Sequence, residues 1–200
     1  MTAGLGLMNI IGIDEVGLGP IAGPVVVAAV VFPEELVVDG VGDSKALKPH
    51  QRVNVIHAIH EHSLHWVIAQ SGVEFIDEHG INQCLRGCMV SCAMCCLERF
   101  PDAHVVVDGK TKLPHPVPTA QQTAMPKADA KVQAVGAASI IAKVWRDQLI
   151  AGMAAAYPAY GFETHKGYPT VVHLAQLKKH GPCPEHRRSY APVKRAIRGA

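Results

Sequence analysis

The sequence predicts an α/β fold: a mixed five-stranded sheet, part antiparallel and part parallel, flanked by helices. Three observations carry that expectation. Strand-like segments come first, at Asn9–Asp14, Val25–Phe32 and the stretch around 64–72. After them, helical and short β-branched segments alternate, the pattern that builds parallel pairs. No internal repeat and no linker interrupts the 200 residues, so a single domain, 1–200, is expected.

The elements follow in order. "NIIGID" leads into a glycine turn, and "VVVAAVVF" is β-branched and apolar throughout, which reads as a strand buried on both faces. "DSKALKPHQRVNVIHAIHEHS" is a loop entering a helix, with Pro49 suited to its first turn. "LHWVIAQSG" alternates enough for a third strand, and a cysteine-rich helix follows, ending near Arg99. "HVVVDGK" is a fourth strand ending at Asp108 and Gly109. The proline-rich stretch Leu113–Pro126 reads as an irregular loop, and "KVQAV" as a short strand before a long helix from about Gly136. A final helix is expected near Thr170–Lys179, with a further helical turn in the tail.

Composition narrows the class. At 48% hydrophobic the chain is globular, while 5% aromatic leaves its core to Val, Ile, Leu and Ala. The run Val25–Phe32 is far short of the roughly 18 residues that span a bilayer. The N-terminus lacks the basic and apolar regions of a secretory signal, so a cytoplasmic protein without a membrane partner is expected. Net charge is only +2, but it is segregated. Residues 1–44 carry acids and no Lys or Arg, whereas the extension from about 166 to 200 holds Lys166, Lys178, Lys179, Arg187, Arg188, Lys194, Arg195 and Arg198 against Glu185. Such a tail either holds a polyanion or is a solvated basic surface.

Three motifs invite chemistry and are better explained by packing. Cys88, Cys92 and Cys95 have the C-x3-C-x2-C spacing of an iron–sulfur loop. Yet Cys84, Cys88, Cys92 and Cys96 recur every four residues with Leu85, Met89 and Leu97, which is the core face of a helix, where reduced cysteine acts as a small hydrophobe. His57, His60, His62 and His65 match no zinc-helix spacing. The glycines of "GLGPIAG" have Pro20 and Pro24 where a dinucleotide-binding helix would begin, and a strand follows them.

The acids are different. Asp14 and Asp108 both close apolar strands, at the strand end where α/β sheets bind ligands. Glu15 stands beside Asp14, and such like charges at a core edge either face water or have a cation between them. Asp129 precedes the long helix and is either a turn residue or a further member of the group. Converging carboxylates without thiol or imidazole suit hard cations, and a pair of ions roughly 3.5–4 Å apart is the usual device for phosphodiester hydrolysis.

"GIDEVGLGPIAGPVVVAAV", "DSKALKP", "VVVDGK", "DAKVQAVGAASIIAKVWRD", "YGFETHKGYPTVVHL" and "GPCPEHRRSYAPVK" together resemble, in order and over about Ile10–Lys194, the blocks of bacterial ribonuclease HII, the type 2 ribonuclease H. The resemblance implies an RNase H-like fold with a C-terminal helical extension. It also implies a metal-dependent endoribonuclease, using Mg²⁺ or Mn²⁺, that cuts the RNA strand of RNA–DNA hybrids and at ribonucleotides embedded in duplex DNA, leaving 3′-hydroxyl and 5′-phosphate ends. Carried over residue by residue, it makes Asp14, Glu15, Asp108 and Asp129 the catalytic and metal-holding acids. It makes Gly17, Leu18 and Gly19 the turn that reads the ribose, Tyr168 the residue packing on the sugar, and Lys45 and Lys143 neighbours of substrate phosphates. Ser139, Lys143 and Asp147 share a helix face that would present Lys143.

The match has departures. The family turn reads G-R-G, and Leu18 replaces an arginine able to contact phosphate. Ala128 stands where the family has glycine before its fourth acid, and the segment between Asp108 and Asp129 is a few residues longer than usual. "DEVG" also resembles the sister ribonuclease HIII, which carries an N-terminal substrate-binding domain; a catalytic strand beginning within about ten residues of Met1 favours ribonuclease HII. The expectation is a monomer. The alternative is a catalytically weak or inactive hybrid-binding paralogue, which Leu18 would suggest.

Overall fold

A computed structural model describes residues 8–41 and 49–199. Five strands, β1 (Asn9–Val16), β2 (Val25–Pro33), β3 (His65–Ser71), β4 (His104–Asp108) and β5 (Gln122–Met125), form one sheet in the order β3-β2-β1-β4-β5. β2 pairs antiparallel with β1 and β3, while β1–β4 and β4–β5 are parallel. The expected mixed sheet is therefore present, with β1 and β4 as neighbours.

Two helices bury its faces. α3 (Ile81–Arg99) covers Ile11, Ile13, Val27, Ala29, Val105 and Val107 with its Cys88, Met89, Cys92 and Cys96. α4 (Gln133–Ala156) covers Ile10, Val26, Ala28, Val30 and Val106 with an alanine- and isoleucine-rich face. Between them β2 is buried at every position from Val25 to Phe32, which is why its sequence is continuous rather than alternating. Gly12 lets α4 close on β1: a Cβ there would collide with the backbone at Ala134 and Val135. The start of α4 is thereby drawn against the strand that carries Asp14.

α1 (Pro49–His62) and α2 (Val73–His79) flank β3, and α5 (Phe162–His165), α6 (Val171–His180) and α7 (Ala191–Arg198) form the C-terminal extension. Among the described residues no helix is long and apolar enough to cross a membrane.

Two expectations need correction. The fifth strand is Gln122–Met125, inside the proline-rich stretch read as a loop; "QTAM" has little strand propensity and is held by pairing with β4. Residues 131–135 are not a strand: α4 starts at Gln133, and Val132 caps it without a side-chain bond, so no start signal marks it. β1 also runs two residues beyond Asp14, because its ladder with β2 continues to Val16↔Val26.

Candidate active site

Strand geometry sorts the acids. Side chains alternate along β1, so Ile11, Ile13 and Glu15 face α3 while Gly12 and Asp14 face α4. On β4, Val107 faces α3, and Val106 and Asp108 face α4. Asp14 and Asp108 thus meet on the α4 side of the sheet edge, and Glu15 reaches the same edge from the α3 side. The adjacent pair is separated by the pleat, which is how the chain tolerates it.

Local bonds fix each carboxylate. Asp14 Oδ1 accepts the Glu15 amide at 2.8 Å, and its side chain also bonds Ser139 on α4. Asp108 Oδ1 accepts the amide of Ala128 at 2.9 Å, clamping to β4 the short 3₁₀ turn Ala128–Ala130 that carries Asp129. The longer segment between the two acids is thus closed by a direct bond.

Burial pushes Asp14 up to about 6, with Asp108 and Asp129 raising it further against the opposing hydrogen bonds. Burial likewise pushes Glu15 up to about 7, helped by the charges of Asp14 and Asp108. The repulsion shows that the four acids share one field. Among the described residues, no three His, Cys, Asp or Glu side chains lie close enough to enclose a metal ion. The donor set itself, carboxylate oxygens with a surplus of negative charge and no thiol or imidazole, fits Mg²⁺ or Mn²⁺.

Immediately after β1 the chain turns through Gly17, Leu18 and Gly19. Gly17 has φ +101°, and a Cβ there would fall 2.7 Å from both Arg146 Nε and the Pro24 carbonyl. Two buried arginines hold this turn from behind. Arg187 donates Nε–H to the Gly23 carbonyl at 2.9 Å, NH2 to Gly17 at 2.7 Å, and NH1 to Leu18 at 3.3 Å and the Tyr190 hydroxyl at 3.0 Å. Arg146, on α4, donates to the carbonyls of Pro24, Ala22 and Lys166. Burial and the charge of Arg187 lower Arg146 to about 10, which still leaves it cationic at neutral pH. With these carbonyls drawn inward, the amides of Leu18 and Gly19 have no protein acceptor among the described residues. They are available to an anionic or hydroxyl oxygen from outside.

Tyr168 closes the other side of the turn, its ring 3.2 Å from where a Gly19 Cβ would sit. The ring is 45% exposed, but its backbone is anchored. His173 Nδ1 lies 2.8 Å from the Tyr168 carbonyl, which can only accept, so Nδ1 carries the proton and Nε2 is an acceptor. His186 Nε2, 3.0 Å away, must then donate to His173. His186 Nδ1 in turn accepts from the Cys183 amide and faces its thiol, both at 3.1 Å. His165 stacks on His173 at 4.1 Å and donates Nε2–H to the Tyr160 carbonyl. Burial lowers both His173 and His186 to about 4, so this chain of bonds is neutral and complete.

Of the remaining candidates, Lys143 donates to Asp147 Oδ1 at 2.7 Å along the helix face the spacing predicts. Lys45 lies outside the described residues. The cysteine stripe is core: burial pushes Cys92 and Cys96 up to about 12, which makes them poor ligands. The basic extension needs correction at one position, because Arg187 points into the protein, not toward a polyanion. Sequence reasoning missed Arg146, Arg187 and the three histidines. Arg146, His165, His186 and Arg187 lay in the blocks "WRD", "THKGY" and "HRRSY", where clustered cations read as surface charge, and His173 in "TVVHL".

The model of the family described as Ribonuclease HII matches residues 11–193. A ribonuclease HII of Acidovorax sp. (strain JS42) is 44% identical over 187 residues, covering 93% of this chain and 87% of the relative. One from Bacillus mycoides (strain KBAB4) is 43% identical over 192 residues, covering 96% and 72%. Among solved structures, ribonuclease H2 from Pyrococcus horikoshii OT3 superposes with a TM-score of 0.80 at 28% identity, covering 96% of this chain and 98% of that one. The sheet, its flanking helices and the helical extension are those of an RNase H-like fold.

Proposed function

The chain belongs to the ribonuclease HII family, and from that premise we propose which residues carry its chemistry. It is an endoribonuclease of the ribonuclease H type, acting on RNA in RNA–DNA hybrids. In our reading Asp14, Glu15, Asp108 and Asp129 hold divalent cations, Mg²⁺ or Mn²⁺. Held by these carboxylates, such ions would supply an activated water and charge stabilisation at the leaving oxygen, the chemistry that leaves 5′-phosphate and 3′-hydroxyl ends. The observation that carries this reading is the shared field of the acids: burial raises both Asp14 and Glu15, the charges of Asp108 and Asp129 raise Asp14 further, and those of Asp14 and Asp108 raise Glu15, a surplus of negative charge that suits oxygen-ligated cations.

The chain's own residues do the rest. The outward amides of Leu18 and Gly19 take an oxygen of the ribonucleotide, and Gly17 and Gly19 let the sugar approach without a side chain in the way. Tyr168 packs on the adjoining sugar and selects the geometry of the RNA–DNA junction. Lys143, held by Asp147, Lys45 and the exposed cations of the extension supply salt-sensitive phosphate contacts. Leu18, 36% exposed at the turn, contributes no phosphate contact through its side chain. We assign it a shift in the balance between single embedded ribonucleotides and continuous hybrids. The whole chain acts as one monomeric catalytic unit. Its buried, unpaired thiols suit a reducing cytoplasm, where excision of misincorporated ribonucleotides is the matching role.

The test is cleavage of two labelled duplexes, one with a single embedded ribonucleotide and one fully hybrid, with Mg²⁺ or Mn²⁺. Wild type cuts both, and Asp14→Asn lowers kcat/KM by about 10³-fold or more. Leu18→Arg raises kcat/KM on the single-ribonucleotide duplex several-fold more than on the hybrid. Binding without cleavage by wild type would return the inactive-paralogue alternative.

A further inference from the structure

On the α3 side of the sheet edge, a cleft of about 310 Å³ opens directly beside the acids. Glu15 and the end of β4 at Asp108, whose carboxylate turns toward α4, form its inner wall, Asn82 and Arg86 of α3 one flank, and Lys110 and Lys112 of the loop after β4 the other. The glycine turn with Arg146 of α4 behind it, and Tyr168 packed on it, lie on the α4 side, while Arg187 sits between Arg146 and Cys84 of α3. The acid edge therefore stands between two surfaces, and only one of them has a role in the proposed function.

The chemistry of the second surface is specific enough to name its occupant. Lys112 donates to the Thr119 carbonyl at 2.9 Å and so holds the loop. Arg86 and Lys110 are exposed, and among the described residues neither makes a salt bridge or hydrogen bond. The cleft's own acids are the two at its inner wall, Glu15 and Asp108. Cations directed at a groove next to paired carboxylates would neutralise those carboxylates if that were their task; instead Arg86 and Lys110 make no such pair. An extended, regularly charged anion that crosses the acid edge would meet both cations on leaving it. Asn82 adds an exposed amide able to donate to a sugar or phosphate oxygen.

We propose that this cleft binds backbone phosphates of the cleaved strand on the flank opposite the glycine turn, through Arg86 and Lys110, with Asn82 beside them. The proposal rests on the ribonuclease reading above. The strand enters over Tyr168 and the turn, bends across the four acids, and leaves along α3. Two anchored flanks hold the scissile linkage at the acids more firmly than one, and they do so without reading sequence.

The experiment uses the full chain with Arg86→Gln, Lys110→Gln and the double variant, both positions being exposed and without partners whose loss would unfold the protein. Arg99→Gln, at the far end of α3, controls for a general loss of positive charge. Each single variant raises KM about five- to tenfold with kcat within about twofold of wild type. It also lowers the slope of log affinity against log salt by about one, and the double variant by about two. Affinity is also measured in the Asp14→Asn background, where cutting is blocked, so it does not depend on turnover. Duplexes whose cleaved strand stops beside the scissile linkage on one flank or the other then locate the contact: shortening one of these flanks makes wild type and variants equal. An unchanged KM and salt slope overturns the proposal. So does a difference that survives both shortened cleaved strands and disappears only when the complementary strand is shortened. Wild-type cleavage abolished by Asp14→Asn tests the premise independently, so its failure is distinct from a failure of the cleft.

Discussion

The acid edge and the C-terminal extension both bury ionisable side chains, and they treat them in opposite ways. In the extension the buried histidines and Arg187 are matched: Cys183, His186, His173 and the Tyr168 carbonyl form one directed chain, and Arg187 spends its guanidinium on carbonyls and the Tyr190 hydroxyl. At the acid edge Asp14 and Glu15 are left repelling one another and Asp108. Satisfied polar groups fix a shape; unsatisfied charge stores an affinity for something absent from the chain. The extension gives the turn and Tyr168 their rigid backing, and the edge keeps a place for cations.

Removing the backing is the most severe way to break this contrast. Arg187→Ala strands the carbonyls of Gly17 and Gly23 and leaves that of Leu18 with the Tyr190 hydroxyl alone, with an expected loss of about 3 kcal/mol in urea unfolding. Arg187→Lys restores charge without the fork and recovers only part of it. Activity on the single-ribonucleotide duplex falls before cleavage of the hybrid does, because the turn loses its shape before the acids move.

The acid edge responds in the other direction. Asp14 and Glu15 are raised in the folded state, so the folded protein binds more protons than the unfolded chain between about pH 4 and 7. Their contribution is therefore a stability that declines as pH rises through that window. In EDTA at pH 8, Asp14→Asn is expected to be more stable than wild type by about 1–2 kcal/mol while catalytically dead. Added Mg²⁺ should narrow the gap by stabilising wild type alone. A metal-free Asp14→Asn less stable than wild type would show that the carboxylates are not in net repulsion.

The histidines give the opposite slope. His173 and His186 are lowered to about 4, so it is the unfolded chain that takes up protons between about pH 6.5 and 4. Their stabilisation is present above pH 6.5 and is lost on acidification. His173→Phe should cost about 2 kcal/mol at pH 8, by leaving His186 Nε2–H and the Tyr168 carbonyl unpaired, and should flatten this acid limb. Urea midpoints from pH 4.5 to 8.5 separate the two trends. The smallest effect belongs to a region outside both: Cys92→Ala, in the α3 core, should cost about 1 kcal/mol and leave activity unchanged. A loss of bound iron and of activity in that variant would instead revive the cluster spacing.

How much was legible follows the range of each signal. β1, β2 and β4 could be read because a buried strand imposes an apolar run on its own residues. The stripe Cys84, Cys88, Cys92, Cys96 could be read because helix period is local. β5 could not, since four residues become a strand only by pairing with β4, and the valines at 132 and 135 lie at the start of α4 despite their β-branching. Arg187 was misread for a related reason: a guanidinium in a basic tail looks solvated until carbonyls from residues about 170 positions earlier surround it.

The sequence by itself determined the fold class, the strands that end in acids and the chemistry that carboxylates without thiols or imidazoles can perform, because each is written in residue type and local period. Only the tertiary structure decided that Asp14 and Glu15 reach one edge from opposite faces, that Asp108 clamps the turn of Asp129, and that two buried arginines and a histidine chain shape the turn and Tyr168. Those arrangements depend on which distant carbonyl or carboxylate each polar group finds once the sheet and its two covering helices have closed, and no window of neighbouring residues contains that information.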